Sequence, residues 1–231
     1  MKKLDALLAK KKLILFDIDG TLVYLIELHC EIFSKAFFKY TQVKIKSYKQ
    51  IYKHFGLPIQ ETTENILKDL KIHYTDKLIT KIVNEREKRI VKLKNKISPK
   101  NVLPGVILLL KKLRKEKKLL MTITGNQKKA GEQLLQRSKL MGYFSDYVYA
   151  DDYYRGKPIE KRHELVLEAI RRAKKIIPNL EKSEVLVVGD MIPDITAARE
   201  AGVDSLGIAT GPQTLSKIKT AKPTLAIKSL K

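Results

Sequence analysis

Short hydrophobic runs recur along the chain, and each ends in polar residues or glycine. They are rich in Leu, Val and Ile and lack a regular polar alternation, which is typical of strands buried on both faces. The runs lie at 13–16, 119–123, 147–150, 184–188 and 204–208. Helical patterns occur near 104–117, 127–140, 159–176 and 194–201. This alternation predicts an α/β fold with a parallel five-stranded sheet flanked by helices.

The region between residues 24 and 101 departs from the alternation because it contains only helical periodicity. Its four helical patterns lie at 25–40, 47–54, 61–72 and 76–96. Glycine or proline residues flank the region, at 20–24 and 98–105, and are typical of loops and hinges. We therefore predict an inserted all-helical cap domain at 23–101 and a core domain formed by 1–22 and 102–231.

Composition narrows the class of protein. A hydrophobic content of 44% excludes disorder throughout, and no stretch approaches the roughly 20 apolar residues of a membrane-spanning helix. Lys10, Lys11 and Lys12 interrupt the apolar part of the N-terminal stretch, which argues against a signal peptide. The single cysteine, Cys30, excludes an intramolecular disulfide and a Cys-based zinc site. We expect a cytoplasmic protein with no membrane partner.

The formal net charge of +22 would attract phosphate-bearing ligands or nucleic acid. The lysines are spread along nearly every predicted helix, and no cluster of aromatic residues interleaved with arginine indicates a base-stacking surface. We therefore favour solvated helix faces as the explanation of the charge. A protein that binds nucleic acid or another polyanion remains the alternative from a different functional class.

Distinctive polar groups follow four of the five predicted strands. In open parallel sheets, ligands bind beyond the carboxyl ends of the strands, so these groups are expected to converge on one crevice. They are Asp17, Asp19 and Thr21 after the first strand, Thr124, Gly125 and Asn126 after the second, Lys157 after the third, and Asp190 and Asp194 after the fourth.

Carboxylates crowded together repel one another unless a cation lies among them. Mg²⁺ fits because it takes oxygen ligands and binds phosphate oxygens together with carboxylates. Lys157 is suited to neutralise a phosphate oxygen and to hold Asp17 ionised, and Thr124 and the N–H groups of Gly125 and Asn126 are suited to donate to phosphate. Taken singly, each group also has an ordinary explanation, such as a surface lysine or a strand-to-helix turn. Their combination favours a phosphate site.

Four motifs resemble those of the haloacid dehalogenase superfamily, in particular its phosphoglycolate phosphatase-like branch with a helical cap after the first motif. They are DIDGTLV at 17–23, TITGN at 122–126, RGKP at 155–158 and GDMIPDITAAREAG at 189–202. The resemblance implies a Rossmann-like core and a Mg²⁺-dependent phosphatase of small phosphorylated metabolites.

By the same resemblance, Asp17 is the nucleophile that forms an aspartyl-phosphate, and Asp19 is the general acid and base. Asp17, the backbone carbonyl of Asp19 and Asp190 would hold Mg²⁺, with Asp194 supporting the metal site.

Thr124 and Lys157 would bind the transferring phosphoryl group. The carboxylate of Asp19 argues for phosphoryl transfer, because the dehalogenases of the family lack it. A sugar phosphomutase of the same fold stays open as an alternative, and the physiological substrate and the oligomeric state are not determined.

Three features of the predicted cap bear on the substrate. Tyr24 stands where similar proteins often carry Asp or Asn, and we expect it to have a hinge or packing role at least as readily as a substrate contact. His29 lies on the first cap helix, and we favour a satisfied or solvent-facing side chain over one whose Nε2 faces the crevice. The turn at 55–58 is expected to approach the core when the cap closes.

Overall fold

The computed structural model describes residues 2–92 and 96–231. The helices are α1 (Lys2–Ala9), α2 (Ile26–Thr41), α3 (Lys49–Tyr52), α4 (Ile59–Asp69), α5 (Asp76–Lys92), α6 (Val106–Lys115), α7 (Lys128–Arg137), α8 (Arg162–Ala173), α9 (Ile192–Ala201) and α10 (Leu215–Thr220). The strands are β1 (Leu13–Phe16), β2 (Leu119–Ile123), β3 (Asp146–Val148), β4 (Tyr153–Tyr154), β5 (Lys157–Pro158), β6 (Val185–Gly189), β7 (Asp204–Ile208) and β8 (Leu225–Ile227).

The main sheet is parallel, and its strand order within the described ranges is β3-β2-β1-β6-β7-β8. Phe16 lies opposite Thr122 on one side and Val188 on the other, so the three central strands end at the same level. The chain first extends the sheet from β1 to one side and then returns to place β6 on the other side. Such a reversal of strand order opens a crevice at the carboxyl end of β1.

Side chains of β1 point alternately to the two faces of the sheet. Ile14 and Phe16 pack in one hydrophobic cluster, and Leu13 and Leu15 pack in another on the opposite face. All four are fully buried. A strand covered by helices on both sides has no solvated face, which explains the uninterrupted hydrophobic run.

All five predicted strands are present, and β8 is a sixth strand that the sequence pattern did not indicate. It has only three residues, which are half-buried and lie at the edge of the sheet. The short β4–β5 hairpin was also not predicted. Arg155 and Gly156 form its turn at φ values of +51° and +77°. In the part of the chain that the structure describes, no helix has the length and apolar character to cross a membrane.

Helices α2 to α5, which we call the helical segment, pack around a cluster of their own that includes Phe33, Phe37, Ile66 and Ile82. The four predicted helices of this region are confirmed, although α3 is shorter than expected and the predicted end of the last one includes residues 93–95, outside the described ranges. The boundaries of the predicted cap domain stay a prediction.

The two connections between the helical segment and the rest of the chain run side by side. Val23 forms an antiparallel bridge with Val102. The N–H of Tyr24 donates to the carbonyl of Asn101 at 2.8 Å. Tyr24 itself is 45% exposed, which agrees with the expected hinge or packing position.

Candidate active site

The loop after β1 positions Asp17 and Asp19. The backbone N–H of Asp17 donates to the carbonyl of Val188 at 2.9 Å, which extends the ladder to β6 by one residue. Gly20 then turns the chain at a φ of +84°, and a Cβ there would lie 2.4 Å from a carboxylate oxygen of Asp190. Glycine is needed at this position for both its conformation and its small size.

Asp17, Asp190 and Asp194 form a buried acidic cluster. Each offers an oxygen, and these oxygens lie within 4.8 Å of one another. Burial raises the pKa of Asp17 well above its ordinary value, and the charge of Asp194 adds to this effect. Burial and the charge of Asp17 likewise raise the pKa of Asp190.

The free oxygen atoms of this cluster are suited to a hard cation. Asp190 accepts a hydrogen bond from Thr21 at Oδ1, but its Oδ2 is buried and has no hydrogen-bond partner among the described residues. A buried carboxylate oxygen without a donor is costly unless a cation satisfies it. Asp194 also accepts a hydrogen bond from the backbone N–H of Met191 at 3.0 Å. It therefore stabilises the start of α9 and belongs to the acidic cluster as well.

The loop after β2 brings Thr124, Gly125 and Asn126 to the same place. The hydroxyl oxygen of Thr124 accepts from the backbone N–H and the side-chain amide of Asn126, both at 3.1 Å. With its lone pairs engaged in this way, the hydroxyl hydrogen is available to donate to a ligand oxygen. These residues line one cavity together with Asp17 and Asp19.

Arg162, which the sequence analysis did not single out, takes the place beside Asp17 that was expected of Lys157. Lys157 is exposed on β5, opposite Tyr154 in the hairpin, and does not line the cavity. Arg162 is buried at the start of α8, where its Nη2 donates to Asp17 Oδ1 at 2.8 Å and its Nε donates to Asp194 Oδ1 at 2.9 Å. The contact with Asp17 expected of Lys157 is therefore made by Arg162.

Arg162 carries a signal that sequence reasoning could have used. A positive charge in the first turn of a helix is unfavourable because the helix N-terminus is itself partly positive. Burial alone would lower the pKa of Arg162, but the carboxylates of Asp194 and Asp17 raise it above the ordinary value. A basic residue at this disfavoured position indicates acidic partners from elsewhere in the chain.

We expected a satisfied or solvent-facing His29 and not one that faces the crevice. The side chain is satisfied at both ring nitrogens, but it is buried and does line the crevice, so that part of the expectation was wrong. Its Nε2 lies 2.7 Å from Asp19 Oδ1. Arg86 of α5, which the sequence reasoning did not single out, places its Nη2 3.1 Å from His29 Nδ1 and 2.8 Å from Asn126 Oδ1. Because a guanidinium can only donate, Nδ1 is the acceptor and Nε2–H donates to Asp19.

Arg86 also carried a signal in the sequence. It lies in register with the buried Ile79, Ile82, Val83 and Ile90 on one face of α5. A charged residue on an apolar helix face requires a buried partner.

Comparison of this chain with known proteins identifies its family. The model of the family described as haloacid dehalogenase-like hydrolase matches residues 14–208. The chain belongs to this family. The resemblance inferred from the motifs is thus confirmed, and so is the assignment of the chain to the hydrolases.

One curated protein and two solved structures are among those similar to this chain. The "Probable phosphatase IndB" of Dickeya dadantii is 25% identical over 94% of this chain and 89% of its own length. The structure of a "predicted phosphoglycolate phosphatase" from Haemophilus somnus has a TM-score of 0.77 at 21% identity and covers 96% of this chain and 95% of its own. That of a β-phosphoglucomutase from Clostridium difficile has a TM-score of 0.78 at 18% identity, covering 95% and 92%. At such identities the two structural likenesses establish the fold.

Asp19 of this haloacid dehalogenase-like hydrolase is held as a carboxylate. Burial raises the pKa of Asp19, but the electrostatic interaction and hydrogen bond with His29, followed by the hydrogen bond from Asn126 and the nearby charge of Arg86, outweigh burial and lower the pKa below its ordinary value. In this conformation Asp19 is therefore ready to accept a proton.

The cavity between the helical segment and the sheet is small, about 70 Å³. The turn at 55–58 contacts the core as expected: a Cβ on Gly56 would lie 3.1 Å from Pro193, and a Cβ on Gly125 would lie 3.1 Å from the carbonyl oxygen of Leu57. Ligand pockets are typically about 300 Å³ or more. In this conformation the cavity is therefore smaller than a typical ligand pocket.

Substitution of Gly211 tests the tight packing around Asp190 in this hydrolase. A Cβ at Gly211 would lie only 1.6 Å from Asp190 Oδ2, so we expect Gly211→Ala to displace that carboxylate and to lower the free energy of unfolding by about 1–3 kcal/mol. Thermal unfolding measures the effect. Gly142→Ala is the control because nothing lies within 4 Å of a Cβ there. Equal melting temperatures for the two variants would contradict this packing.

Proposed function

We propose that this hydrolase is a Mg²⁺-dependent phosphatase of small phosphorylated metabolites that acts through an aspartyl-phosphate on Asp17. The observation that carries the proposal is the arrangement around Asp17, which contacts the guanidinium of Arg162 and shares a buried acidic cluster with Asp190 and Asp194. A nucleophile placed beside both an anion-binding cation and a set of oxygen ligands suits attack on a phosphate ester. The phosphatase name of the Dickeya relative supports the same reaction.

The residues present fit Mg²⁺. We assign Asp17, Asp190 and the backbone carbonyl of Asp19 as ligands and Asp194 as a support, since the free Oδ2 of Asp190 is a buried acceptor that a hard cation would satisfy. When bound, the metal would neutralise charge on the transferring phosphoryl group.

In the first step, a carboxylate oxygen of Asp17 forms a bond to phosphorus while the bond between phosphorus and the leaving oxygen breaks. Asp19 gives its proton to that oxygen. In the second step, water attacks phosphorus, Asp19 takes a proton from the water, and the bond to Asp17 breaks to release phosphate. The hydroxyl of Thr124 and the guanidinium of Arg162 hold the phosphoryl oxygens in place.

Lys157 stays a candidate phosphate ligand only if the β4–β5 hairpin changes conformation, because its side chain is exposed in the structure described. The N–H groups of Gly125 and Asn126 are closer candidates, since both residues line the cavity with Asp17.

We assign residues 23–101 as a cap that opens about its paired connections to admit substrate. Opening would separate His29 from Asp19 and remove one of the donors that hold Asp19 ionised. Asp19 could then take up the proton that the first step requires.

A cytoplasmic location is part of the same proposal.

The proposal is tested by phosphate release from a panel of phosphorylated metabolites, with Mg²⁺ and with EDTA. We expect phosphate release with Mg²⁺ and a rate at least about a hundredfold lower with EDTA, since the cation would neutralise the charge of several carboxylates. Release that is equal under both conditions would contradict the metal dependence. No release from any compound, with the protein still folded by thermal unfolding, would contradict the phosphatase assignment.

A sugar phosphomutase is the second candidate function, because the small cavity would leave little room for water beside the phosphoryl group. The fold that the chain shares with the Clostridium difficile phosphoglucomutase is compatible with this reaction. Conversion of one sugar phosphate into its isomer, stimulated by a sugar bisphosphate and without net phosphate release, would favour it over hydrolysis.

A further inference from the structure

Arg86 supplies a buried cation that the proposed phosphoryl transfer does not use. It is 4% exposed and lines the cavity with Asp17 and Asp19, although it belongs to α5 of the helical segment. Its guanidinium lies over the ring of Phe33, 5.2 Å from the ring centre. A buried arginine is costly unless its donors are used, so the role of each donor matters.

The donors of Arg86 are unequally satisfied. Nη1 pairs with the carboxylate of Glu87, and Nη2 donates to Asn126 Oδ1 and His29 Nδ1, which are both neutral acceptors. Nε is buried and has no hydrogen-bond partner within 2–92 and 96–231. Nε and Nη2 share one edge of the guanidinium, the edge that binds a carboxylate or phosphate with two parallel hydrogen bonds. An oxoanion would accept a hydrogen bond from the free Nε and would displace the weaker neutral acceptors from Nη2.

The position of this edge indicates which part of a substrate it would meet. Nη2 contacts His29 and Asn126, and both of these residues hydrogen-bond to Asp19. Under the proposed function, Asp19 protonates the leaving oxygen. The remainder of the leaving group would thus enter the space beside Arg86, whose other walls are largely apolar, including Ile26, Phe33, Phe55 and Ile59.

We propose that Arg86 binds a second anionic group of the substrate, a carboxylate or a second phosphate carried by the leaving group. This inference rests on the proposed function and deepens it by naming the substrate class: small phosphate esters or anhydrides with a second negative charge close to the scissile bond. A single residue, His29 or Asn126, bridges Asp19 and Arg86. A compact leaving group would therefore be large enough to meet both side chains.

The test compares two esters that differ only in the second charge, phosphoglycolate and 2-hydroxyethyl phosphate. We expect Arg86→Gln to lower kcat/KM for phosphoglycolate by roughly ten- to a hundredfold more than for 2-hydroxyethyl phosphate, because only phosphoglycolate loses an ionic partner. Any loss that acts through His29 and Asp19 falls on both esters alike. Arg86→Lys keeps the charge but not the two-donor edge, and an intermediate loss is expected. Arg89→Gln is the matched control, since it removes a charge on the same helix from a side chain that does not line the cavity.

A binding measurement separates this inference from the proposed function. Phosphonoacetate and ethylphosphonate are not hydrolysed, so their effect on the melting temperature with Mg²⁺ does not need turnover. We expect phosphonoacetate to stabilise the native protein more than ethylphosphonate does, and this difference to disappear in Arg86→Gln but not in Arg89→Gln. Equal stabilisation of the native protein by the two compounds, or an equal loss of activity on both esters in Arg86→Gln, would overturn the role of Arg86 and leave the phosphatase assignment standing. Failure of phosphate release together with a preserved preference for phosphonoacetate would overturn the reaction and keep the anion site.

Discussion

Asp17→Asn is expected to lower phosphate release by roughly a thousandfold or more, since under the proposed function the substitution removes the group that would form the covalent intermediate. The side chain keeps its size and lies in the same buried position, so packing is preserved. An amide lacks the negative charge that attacks phosphorus and that would bind Mg²⁺. Initial rates with saturating Mg²⁺ on the best substrate of the panel measure the effect.

Stability distinguishes this loss from misfolding. A carboxyl group whose pKa is raised by folding lowers the stability of the native state at pH values above its ordinary pKa, and the loss is complete only above the raised pKa, where the group is ionised in the native state as well. Replacement of Asp17 by neutral asparagine relieves the repulsion from Asp194, so the melting temperature without Mg²⁺ should not fall. Asp5→Asn, on an exposed side chain paired with Lys112, is the control and should retain activity. Retained phosphate release by a folded Asp17→Asn protein would exclude Asp17 as the nucleophile.

Arg162→Met is expected to lower kcat/KM by about a hundred- to a thousandfold, the usual cost of removing one preorganised donor from a developing anion. The guanidinium contacts both Asp17 and Asp194, so its loss also leaves two buried carboxylates without their partner. Lys157→Met should change kcat/KM by no more than about twofold, because the exposed lysine does not reach the cavity. Steady-state kinetics on one substrate compares the two variants directly.

Arg162→Lys provides the check on charge alone. It restores one positive charge but cannot contact both carboxylates with a planar fork, so recovery should be partial. The opposite ranking, with Lys157→Met inactive and Arg162→Met active, would mean that the β4–β5 hairpin turns inward in the working enzyme. The assignment carried by the RGKP motif would then replace the one drawn from the structure.

The sequence predicted the sheet and the strand-end residues because both depend on short-range rules. Strands buried on two faces must be hydrophobic throughout, and parallel strands end at one edge of the sheet. Asp17, Thr124 and Asp190 each follow a strand within two residues, so their meeting point follows from the strand order alone. The edge strand β8 was missed because three half-buried residues carry little pattern.

The rest of the candidate site depends on tertiary packing that periodicity does not report. Arg162 reaches Asp17 only because a tight hairpin with two positive φ values precedes α8. His29 and Arg86 meet across 57 positions of sequence through the packing of α2 against α5, which in turn packs against α7. A helical pattern gives the face of each residue but not the partner that the face will meet.

The paired connections at Val23–Val102 and Tyr24–Asn101 have a consequence for how this protein can change. Because the chain leaves and re-enters the sheet at neighbouring points, the whole intervening stretch is topologically equivalent to a surface loop, the kind of site where insertions and exchanges are best tolerated. A short turn joining the two ends would leave the order of the sheet strands intact. Selection could therefore replace the part to which we assign recognition of the leaving group, including Arg86, as one genetic unit while Asp17, Asp190 and Arg162 are inherited without alteration.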